Sequence, residues 1–433
     1  MNPIRFVTAD EAVSHIKSNS HIHLSSVASV PHILIQALCR RADAGDIKGL
    51  KFHHFHTEGP APYSEPKYEG IFTEQGFFVG PNVRANVNTG YADYLPVHLG
   101  ESQALYRSGV IKLGAALVQV SLPDENGYVS LGTSVDCSIA AIESAELRIA
   151  VVNPNVPFAH GDLIHISSFD YLVEDDSPLV TKDFAVPTPT EEIIGRNCAA
   201  LVEDGDCIQM GIGALPNALA AQLSGHKNLG LHTEMFADGL MRLIKAGVIN
   251  GANKAIDKGC VVASFLLGSK ELYSFINDNP GVLMKDIQYT NDPWIISRNP
   301  HMKAINSATE VDLTGQISAD SIGTRIFSGT GGQLDFVRGA TMSKGGKSIT
   351  AFASRTLKGK NKIVAELNPG AGVVTPRADA HWIVTEYGAV DLYGRPLQER
   401  AKLLISIAHP DDREMLDRQA FERFGPHYHN FSI

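Results

Sequence analysis

The chain has 433 residues, a length that predicts roughly two or three domains rather than one core. Apolar residues make up 44% and charged residues 19%, as in ordinary globular proteins. The formal net charge of −10 argues against a nucleic-acid binder, because phosphate binding needs a basic face. There is no secretory signal pattern, and no apolar run approaches the roughly 18 residues of a membrane span. We therefore expect a cytoplasmic protein with no nucleic-acid and no membrane partner.

The cysteine and histidine patterns argue against a metal centre. The five cysteines are scattered and form no CxxC pair: Cys39, Cys137, Cys198, Cys207 and Cys260. Reduced thiols fit this spacing better than a disulfide scaffold or a zinc site. Histidines crowd "HIHLSS" and "KFHHFHTEG", but adjacent or alternating strand positions have no acidic partner nearby. We expect no metal.

Two segments of the chain predict the same series of elements. Residues 22–38, "IHLSSVASVPHILIQAL", and residues 208–223, "IQMGIGALPNALAAQL", each read as a strand, a turn of small residues, a proline and a helix. A helical pattern precedes each segment, and "HTE" follows each, beginning at His56 and at His232. The two halves are therefore interpreted as divergent copies of one α/β unit.

The remaining elements predict the fold class. Short apolar segments rich in branched residues, such as "LRIAVVNPN", "GCVVASFLLG" and "HWIVTEYGAVDL", alternate with segments of helical pattern such as "MRLIKAGV" and "QERAKLLISIA". This alternation is typical of parallel sheets covered by helices. We predict two similar, open, mostly parallel α/β domains. Prolines between residues 182 and 197 place the boundary there, giving domains of residues 1–186 and 187–433.

The second copy is rich in glycine where the first has serine. Gly211 and Gly213 in "GIGALPN" let a ligand approach the backbone at a strand-to-helix turn, whereas the matching residues 25–29 include three serines. Further glycine-rich loops lie at residues 328–340, 342–348 and 367–388. Parallel sheets place ligands at strand-end loops of this kind. The alternative for any single loop is a tight turn without a ligand.

Glu234 in "LHTEMFADG" is a carboxylate within an otherwise apolar stretch, and Glu58 in "FHTEG" repeats it. The sequence has no Walker motif, no dinucleotide fingerprint, no HExxH and no GxSxG. A carboxylate, amide-rich loops, and Lys344 and Lys347 nearby in sequence fit covalent catalysis by a glutamate on an activated acyl compound. The alternative is that both glutamates are structural.

Long, unusual motifs carry a resemblance to a known family. They include "FFVGPNVRANVNTGYADYLPVHLGE", "VSLPDENGYVSLG", "GLHTEMFADG", "GTGGQLDFVRGA" and "VTEYGAVDLYGRPLQERA". Over essentially its whole length the chain resembles the acetyl-CoA hydrolase/transferase family of class I CoA-transferases, near the 4-hydroxybutyrate and butyryl-CoA:acetate CoA-transferases.

The resemblance implies roles for individual residues. It makes Glu234 the nucleophile, Gly332 of the glycine pair an oxyanion amide, and Asn291 the opposite oxyanion donor. It also implies a set of CoA-binding residues: Gly211, Ile212, Gly213, Ala214, Leu215, Ser328, Gly331 and Lys344. Because Glu58 follows the serine version of the turn, we expect it to be structural or to line the acyl side of the site.

The resemblance further implies a reaction. A CoA-transferase would move CoA between a short-chain acyl-CoA (butyryl-, 4-hydroxybutyryl- or acetyl-CoA) and a free carboxylate such as acetate, through an acyl-glutamyl anhydride and a glutamyl-CoA thioester. CoA would then be substrate and covalent intermediate, with no permanently bound cofactor. A homodimer or higher homo-oligomer is expected. The alternatives are a short-chain acyl-CoA hydrolase using the same residues, or a non-catalytic sensor of CoA or a sugar phosphate.

Overall fold

The computed structural model describes residues 6–430. Residues 1–5 and 431–433, at the outer ends of the two predicted domains, lie outside this range. The α-helices of the described range are α1 (Ala9–Ser14), α2 (His32–Asp43), α3 (Arg84–Thr89), α4 (Ser102–Arg107), α5 (Ser138–Ser144), α6 (Pro189–Ala199), α7 (Ala214–Gln222), α8 (Asp238–Lys245), α9 (Lys270–Ile276), α10 (Ile287–Thr290), α11 (Pro293–Ser297), α12 (Gln333–Met342), α13 (Leu397–Ser406) and α14 (Pro410–Phe424). Short 3₁₀ helices are Pro62–Ser64, Pro66–Tyr68, Leu99–Glu101, Ile166–Ser168, Leu223–Gly225 and Pro426–Asn430.

The strands are short, as the apolar runs predict. In chain order they are β1 (His21–Leu24), β2 (Leu50–His53), β3 (Phe72–Gly76), β4 (Asp93–Tyr94), β5 (Leu113–Val120), β6 (Tyr128–Ser130), β7 (Leu147–Val152), β8 (His160–Gly161), β9 (Leu163–His165), β10 (Tyr171–Glu174), β11 (Cys207–Met210), β12 (Gly230–Leu231), β13 (Met235–Phe236), β14 (Val261–Ala263), β15 (Phe265–Leu266), β16 (Val282–Met284), β17 (Met302–Asn306), β18 (Glu310–Asp312), β19 (Ile317–Ser318), β20 (Ser321–Ile322), β21 (Arg325–Ile326), β22 (Lys347–Ala351), β23 (Ile363–Val364), β24 (Trp382–Thr385) and β25 (Gly388–Asp391).

The chain divides into two compact units. The first comprises the chain up to Asp183 together with Glu234–Asp238 and Cys260–Asn291. The second comprises Phe184–Thr233, Gly239–Gly259 and the chain from Asp292 onward. The units thus differ from the two continuous domains predicted at 1–186 and 187–433. The physical reason is strand pairing inside the first unit, where β16 adds to the edge of β8 in parallel.

The first unit is built on a seven-stranded parallel sheet with the order β10-β7-β5-β1-β2-β3-β4. Strands β5 and β7 carry mostly apolar side chains on both faces, as expected where helices cover both sides of a sheet, whereas the central strand β1 alternates histidine with Ile22 and Leu24. The helix α2 buries Leu34, Ile35 and Leu38 against this sheet and carries Arg40 and Arg41 in its last turn. This burial drives the helix onto the sheet.

The second unit is built on a six-stranded sheet with the order β12-β11-β17-β22-β24-β25. All neighbours are parallel except β25, which returns antiparallel to β24. The first helix of this unit, α6, starts at Pro189 behind Thr188. A capping box satisfies this helix end, since Thr188 and Glu191 exchange hydrogen bonds.

The two sheets share their order of connection, which agrees with the predicted duplication. In the first unit β1 lies between β5 and β2, and in the second β11 lies between β17 and β12. In each, a strand leads through a turn of small residues into a helix, and the next strand runs into "HTE". The prediction of mostly parallel α/β architecture is confirmed. Among the described residues, no helix has both the length and the apolar character that a membrane span requires.

Candidate active site

In the second unit, the residue before Glu234 is fixed at the carboxyl edge of the sheet. Thr233 donates from Oγ1 to the backbone oxygen of Met210 at 3.1 Å, and the backbone N–H of His232 donates to the oxygen of Ile208 at 3.2 Å. Met210 is the last residue of β11, so these bonds join the "HT" pair to the point where the glycine loop begins. The chain then continues directly from Thr233 to Glu234.

The glycine loop leaves its backbone accessible. A Cβ added at Gly211 or at Gly213 would meet no protein atom within 4 Å. Gly213 has φ of 122°, a conformation that residues with a side chain rarely adopt. It is also the N-cap of α7 and supplies no side-chain cap, so the first-turn amides of α7 are left for other partners. Such a turn suits a ligand that approaches the main chain closely.

A cavity of about 320 Å³ opens at this loop. The five predicted CoA-loop residues, Gly211 to Leu215, all line it, and the structure adds residues that the sequence reasoning did not name: Glu191, Cys198, Met210, Pro216, Leu219, Ile305, Asn306, Ser307 and Ala351. Most of these follow or end neighbouring strands, and that position is the sequence signal that could have identified them. Burial raises the pKa of the Cys198 thiol to about 12, so this thiol stays protonated.

Gly331 and Gly332 lie at the start of α12 and are buried. Residues 343–346 join the end of α12 directly to β22, and α12 packs along β17 and β22. The helix therefore runs antiparallel to these strands, and its N-terminus lies toward their carboxyl edge, as the Gly211 loop does. Gly332 has an ordinary φ of −93° and no side-chain cap. Ser328 donates its hydroxyl to the backbone oxygen of Ala319 at 3.1 Å.

Lys344 lies apart from the glycine loop. It is exposed in the turn before β22, at the amino edge of the sheet. The Gly211 loop follows the carboxyl end of β11, and β11, β17 and β22 are parallel. At ~3.3 Å per residue, the length of β22 separates the two edges by roughly 16 Å. The structure does not bring Lys344 to the glycine loop, and its contact with CoA stays a prediction.

In the first unit, Glu234 and Asn291 are brought together. Asn291 donates from Nδ2 to Oε2 of Glu234 at 2.6 Å. Asn291 is fully buried, whereas Glu234 is half-buried. The backbone oxygen of Glu234 accepts from the N–H groups of Ser264 and Phe265, which fixes the residue at the start of β13. Of the predicted catalytic residues, these two are therefore in direct contact.

Glu58 has a different environment. Its Oε1 accepts from Lys182 Nζ at 2.8 Å and lies 3.7 Å from His56 Nε2. Burial, together with the Lys182 charge, lowers the pKa of His56 to about 4, so the ring is neutral at pH 7. The ion pair with Lys182 gives Glu58 a structural partner, and sequence reasoning did not identify Lys182.

The serine turn of the first unit is closed by its own hydrogen bonds. Ser26 accepts from the N–H of Phe55, and Ser25 accepts from the N–H of Gln119. Ser29 pairs with Thr133 at 2.7 Å. All three serines are fully buried. The first copy thus fills with hydroxyl contacts the region that the second copy leaves accessible.

One buried group has the residue types of a metal site within the described part of the chain. Ligand atoms of His23, Asp136 and Cys137 lie within 4.8 Å of one another. However, His23 bonds Tyr106 and Ser138 through its two ring nitrogens, and Asp136 accepts from Ser138. Since protein partners already occupy the histidine and aspartate atoms, we assign the group a structural role.

Comparison with known proteins decides the family. Residues 3–181 match the family model of the acetyl-CoA hydrolase/transferase N-terminal domain, and residues 268–420 match that of the C-terminal domain. The chain belongs to the acetyl-CoA hydrolase/transferase family. It is a CoA-transferase, and the expected resemblance is confirmed.

Individual relatives match this CoA-transferase along nearly its whole length. It is 43% identical over 422 residues to the 4-hydroxybutyrate coenzyme A transferase of Clostridium kluyveri, covering 97% of this chain and 98% of the relative. It is also 43% identical over 418 residues to the succinyl-CoA:acetate/propanoyl-CoA:succinate CoA transferase of Fasciola hepatica, covering 96% and 87%. The crystal structure of RipA from Yersinia pestis superposes with a TM-score of 0.90 at 36% identity, covering 97% of each chain.

Proposed function

We propose that this CoA-transferase exchanges CoA between a short-chain acyl-CoA (butyryl-, 4-hydroxybutyryl- or acetyl-CoA) and a free carboxylate such as acetate, with Glu234 as the nucleophile. The relatives' names support this class of substrates. The observation that carries the proposal is the 2.6 Å hydrogen bond from Asn291 to the Glu234 carboxylate. This bond places a neutral hydrogen-bond donor on the carboxylate that we propose as the nucleophile.

The reaction follows from the chemistry of a carboxylate and a thioester. A carboxylate oxygen of Glu234 attacks the thioester carbonyl, the C–S bond breaks, and CoA leaves as the thiolate. The product is an acyl-glutamyl anhydride. The thiolate then attacks the glutamyl carbonyl, which releases the free acid and leaves a glutamyl-CoA thioester. An acceptor carboxylate runs these steps in reverse, so the activation is conserved and no ATP is consumed.

Two carbonyls are attacked in this scheme, and each needs a donor for its oxyanion. Asn291 Nδ2 contacts Oε2 of Glu234, so we assign it to the oxyanion that forms on the enzyme's own carboxyl group. We assign the substrate oxyanion to the backbone N–H of Gly332, at the start of α12. Each donor contributes roughly 3 kcal/mol of transition-state stabilisation.

We assign CoA binding to the glycine loop, Gly211–Leu215, and its cavity. The apolar lining suits the slender pantetheine arm, and the accessible backbone at Gly213 suits close approach. Binding energy from the long CoA molecule lies remote from the reacting carbon and is realised in the transition state. Water must be excluded while the anhydride exists, because water would divert it to hydrolysis. We also propose a cytoplasmic homodimer or higher homo-oligomer.

The test is to trap the covalent intermediate. The protein is incubated with acyl-CoA and then with borohydride, which should reduce the glutamyl thioester at Glu234 and inactivate the enzyme. Peptide mass spectrometry locates the modified residue. Glu58→Ala is the matched control, since Glu58 is the corresponding residue of "HTE" in the first copy. It should keep a substantial fraction of transfer and remain trappable, whereas Glu234→Ala should lose both.

A second arm of the experiment separates transfer from hydrolysis. Exchange of radiolabelled short carboxylates is followed against a panel of acyl-CoA donors, with and without acceptor acid. Transfer requires the acceptor, so thioester consumption that proceeds at full rate without it would identify a hydrolase. CoA found on another residue would reassign the nucleophile, and CoA found on none would overturn the covalent mechanism.

A further inference from the structure

The side chain of Asn291 depends on a helix of a single turn. Asn291 is the C-cap of α10 (Ile287–Thr290), and its backbone N–H donates to the oxygen of Ile287 at 2.9 Å. A helix this short is not stable by itself, because nucleation costs more than one turn of hydrogen bonds returns. The position of the Asn291 amide on Glu234 is therefore set by the groups that hold α10.

Arg107, the last residue of α4, binds the start of α10. Its Nη1 donates to Oε1 of Gln288 at 2.7 Å, and its Nη2 lies 3.4 Å from Oδ2 of Asp286. Asp286 is the N-cap of α10 and accepts from the N–H of Gln288 at 2.7 Å. One guanidinium thus holds both the capping residue and the first exposed side chain of the helix.

The same guanidinium also binds side chains of α4 and α5. Its Nε donates to Oε2 of Glu143 on α5 at 2.9 Å, and its Nη1 also donates to Oε1 of Gln103 at 2.9 Å. The planar fork of five N–H donors allows these bonds to be made together, which a lysine ammonium cannot reproduce. Arg107 therefore links α4 and α5 to α10 through directed bonds.

Two further bonds hold the backbone of α10 without Arg107. The backbone oxygen of Asp136 accepts from the N–H of Ile287 at 3.0 Å, and Oδ2 of Asp162 accepts from the N–H of Asp286 at 2.8 Å. The turn should therefore still form when Arg107 is removed. What is lost is the restraint on its orientation, and the amide at its far end moves with it.

We propose that Arg107 is a positioning residue for the transfer reaction, acting through α10 on the Asn291 amide that contacts Glu234. The inference rests on the proposed function, in which Asn291 stabilises the oxyanion on Glu234. Small displacements of such a donor lower the rate strongly. Loss of Arg107 lowers kcat by roughly ten- to a hundredfold. KM for acyl-CoA stays unchanged, because acyl-CoA binding is assigned to the glycine loop.

The experiment compares Arg107→Ala and Arg107→Lys with Arg148→Ala. Arg148 is a matched control in the same unit, since its side chain is 36% exposed against 33% for that of Arg107. It also makes a bidentate ion pair, with Asp170. Both Arg107 variants should lose kcat at constant KM, and Arg148→Ala should not. Added guanidinium ion at millimolar concentration should restore part of the activity of Arg107→Ala only. An Arg107→Ala protein with normal kcat and a normal melting transition overturns the proposal.

A mutant cycle shows whether Arg107 acts through Asn291. In the Asn291→Ala background, Arg107→Ala should cause no further loss of kcat, whereas multiplied losses would show that Arg107 acts elsewhere. If Arg107→Ala fails to fold, Arg107→Lys and Gln288→Ala decide together, because Gln288→Ala removes the 2.7 Å bond and Arg107→Lys removes the fork that also reaches Asp286. Lost kcat in either variant supports the proposal, and normal kcat in both overturns it.

The outcomes separate this inference from the proposed function. If Glu234 is trapped and Asn291→Ala is slow while the Arg107 and Gln288 variants are normal, only the role of Arg107 is wrong. If Glu234 cannot be trapped, the proposed reaction is wrong, and the Arg107 inference is overturned with it.

Discussion

The amide of Asn291 and the carboxylate of Glu234 are 2.6 Å apart, although 57 residues separate them in the chain. Both belong to the first compact unit, each at a point where the chain enters or leaves it. The amide donor fixes the orientation of the carboxylate, which an attacking carboxylate needs.

Asn291→Ala should lower kcat by roughly a hundred- to a thousandfold, the effect of one lost oxyanion donor, with little change in KM for acyl-CoA. Steady-state CoA transfer measures both parameters. Asn153→Ala is the control, because Asn153 is a buried asparagine of the same unit whose Nδ2 donates to Gln119 and Ser177. That variant should change thermal stability rather than kcat. A fast Asn291→Ala enzyme would remove the amide from the mechanism.

The two glycines of the CoA loop should respond differently to alanine. Gly213→Ala forces a side chain onto φ of 122° and should cost about 1–3 kcal/mol of stability. Gly211→Ala meets neither positive φ nor a neighbouring protein atom, so its Tm should be unchanged. If CoA approaches the backbone here, Gly211→Ala should nevertheless raise KM for acyl-CoA. Equal KM in a folded Gly211→Ala protein would move the ligand away from this residue.

Gly332→Val should lower kcat by roughly a hundredfold while the protein stays folded. The ordinary φ of −93° tolerates a side chain, so the loss would reflect crowding of the backbone N–H rather than strain. Gly225→Val serves as the control, because Gly225 is exposed, lacks positive φ and has no atom within 4 Å of an added Cβ. Near-normal turnover of Gly332→Val would reassign the oxyanion amide.

Glu74 gives a prediction about pH and stability. It is fully buried, and within residues 6–430 its carboxyl oxygens have no hydrogen-bond partner. Burial raises its pKa from the usual 4.5 to about 8, while burial lowers the pKa of neighbouring His54 to about 4. Between pH 4.5 and 8 the folded protein therefore holds a proton on Glu74 that the unfolded chain releases. The stability contributed by this group falls as pH rises, by about 1.4 kcal/mol per pH unit.

Glu74→Gln removes that titration. Its stability relative to the natural protein should therefore increase steadily from pH 5 to pH 8, measured as the difference in free energy of unfolding by urea at each pH. A difference that does not vary with pH would mean that Glu74 is already ionised in the folded protein.

Much of the fold could be predicted from local patterns. Alternating apolar runs and helical periodicity predict β7, β11, β24, α7 and α13, because each element is long enough or regular enough to show its own period. The duplication could be predicted because the order of strand, small-residue turn, helix and "HTE" occurs twice along the chain. The turn at Gly211–Leu215 could be predicted because Gly213 adopts a φ that favours glycine, and glycine is visible in a sequence.

Other features depend on distances that a sequence does not display. The CoA contact of Lys344 is implied by the family resemblance alone, and the sequence does not display that this residue lies at the opposite edge of the sheet from the Gly211 loop. The roles of Lys182 and Arg107 could not be predicted, because their partners, Glu58 and Gln288, lie more than a hundred residues away along the chain. The compact units also differ from a linear division, since strand pairing rather than chain order assigns a segment to a unit.

The pairing of β16 with β8 has a consequence for the polypeptide as a whole. Leu283 and Met284 lie beside His160 and Gly161, and the N–H of Leu266 donates to the oxygen of Thr133. A protein cut after Asp183 would leave the N-terminal piece without strands that only the C-terminal piece encodes. Separate expression of the two halves should therefore yield an N-terminal fragment with unpaired strand edges, prone to aggregation. Its rescue requires the other fragment to be present while it folds.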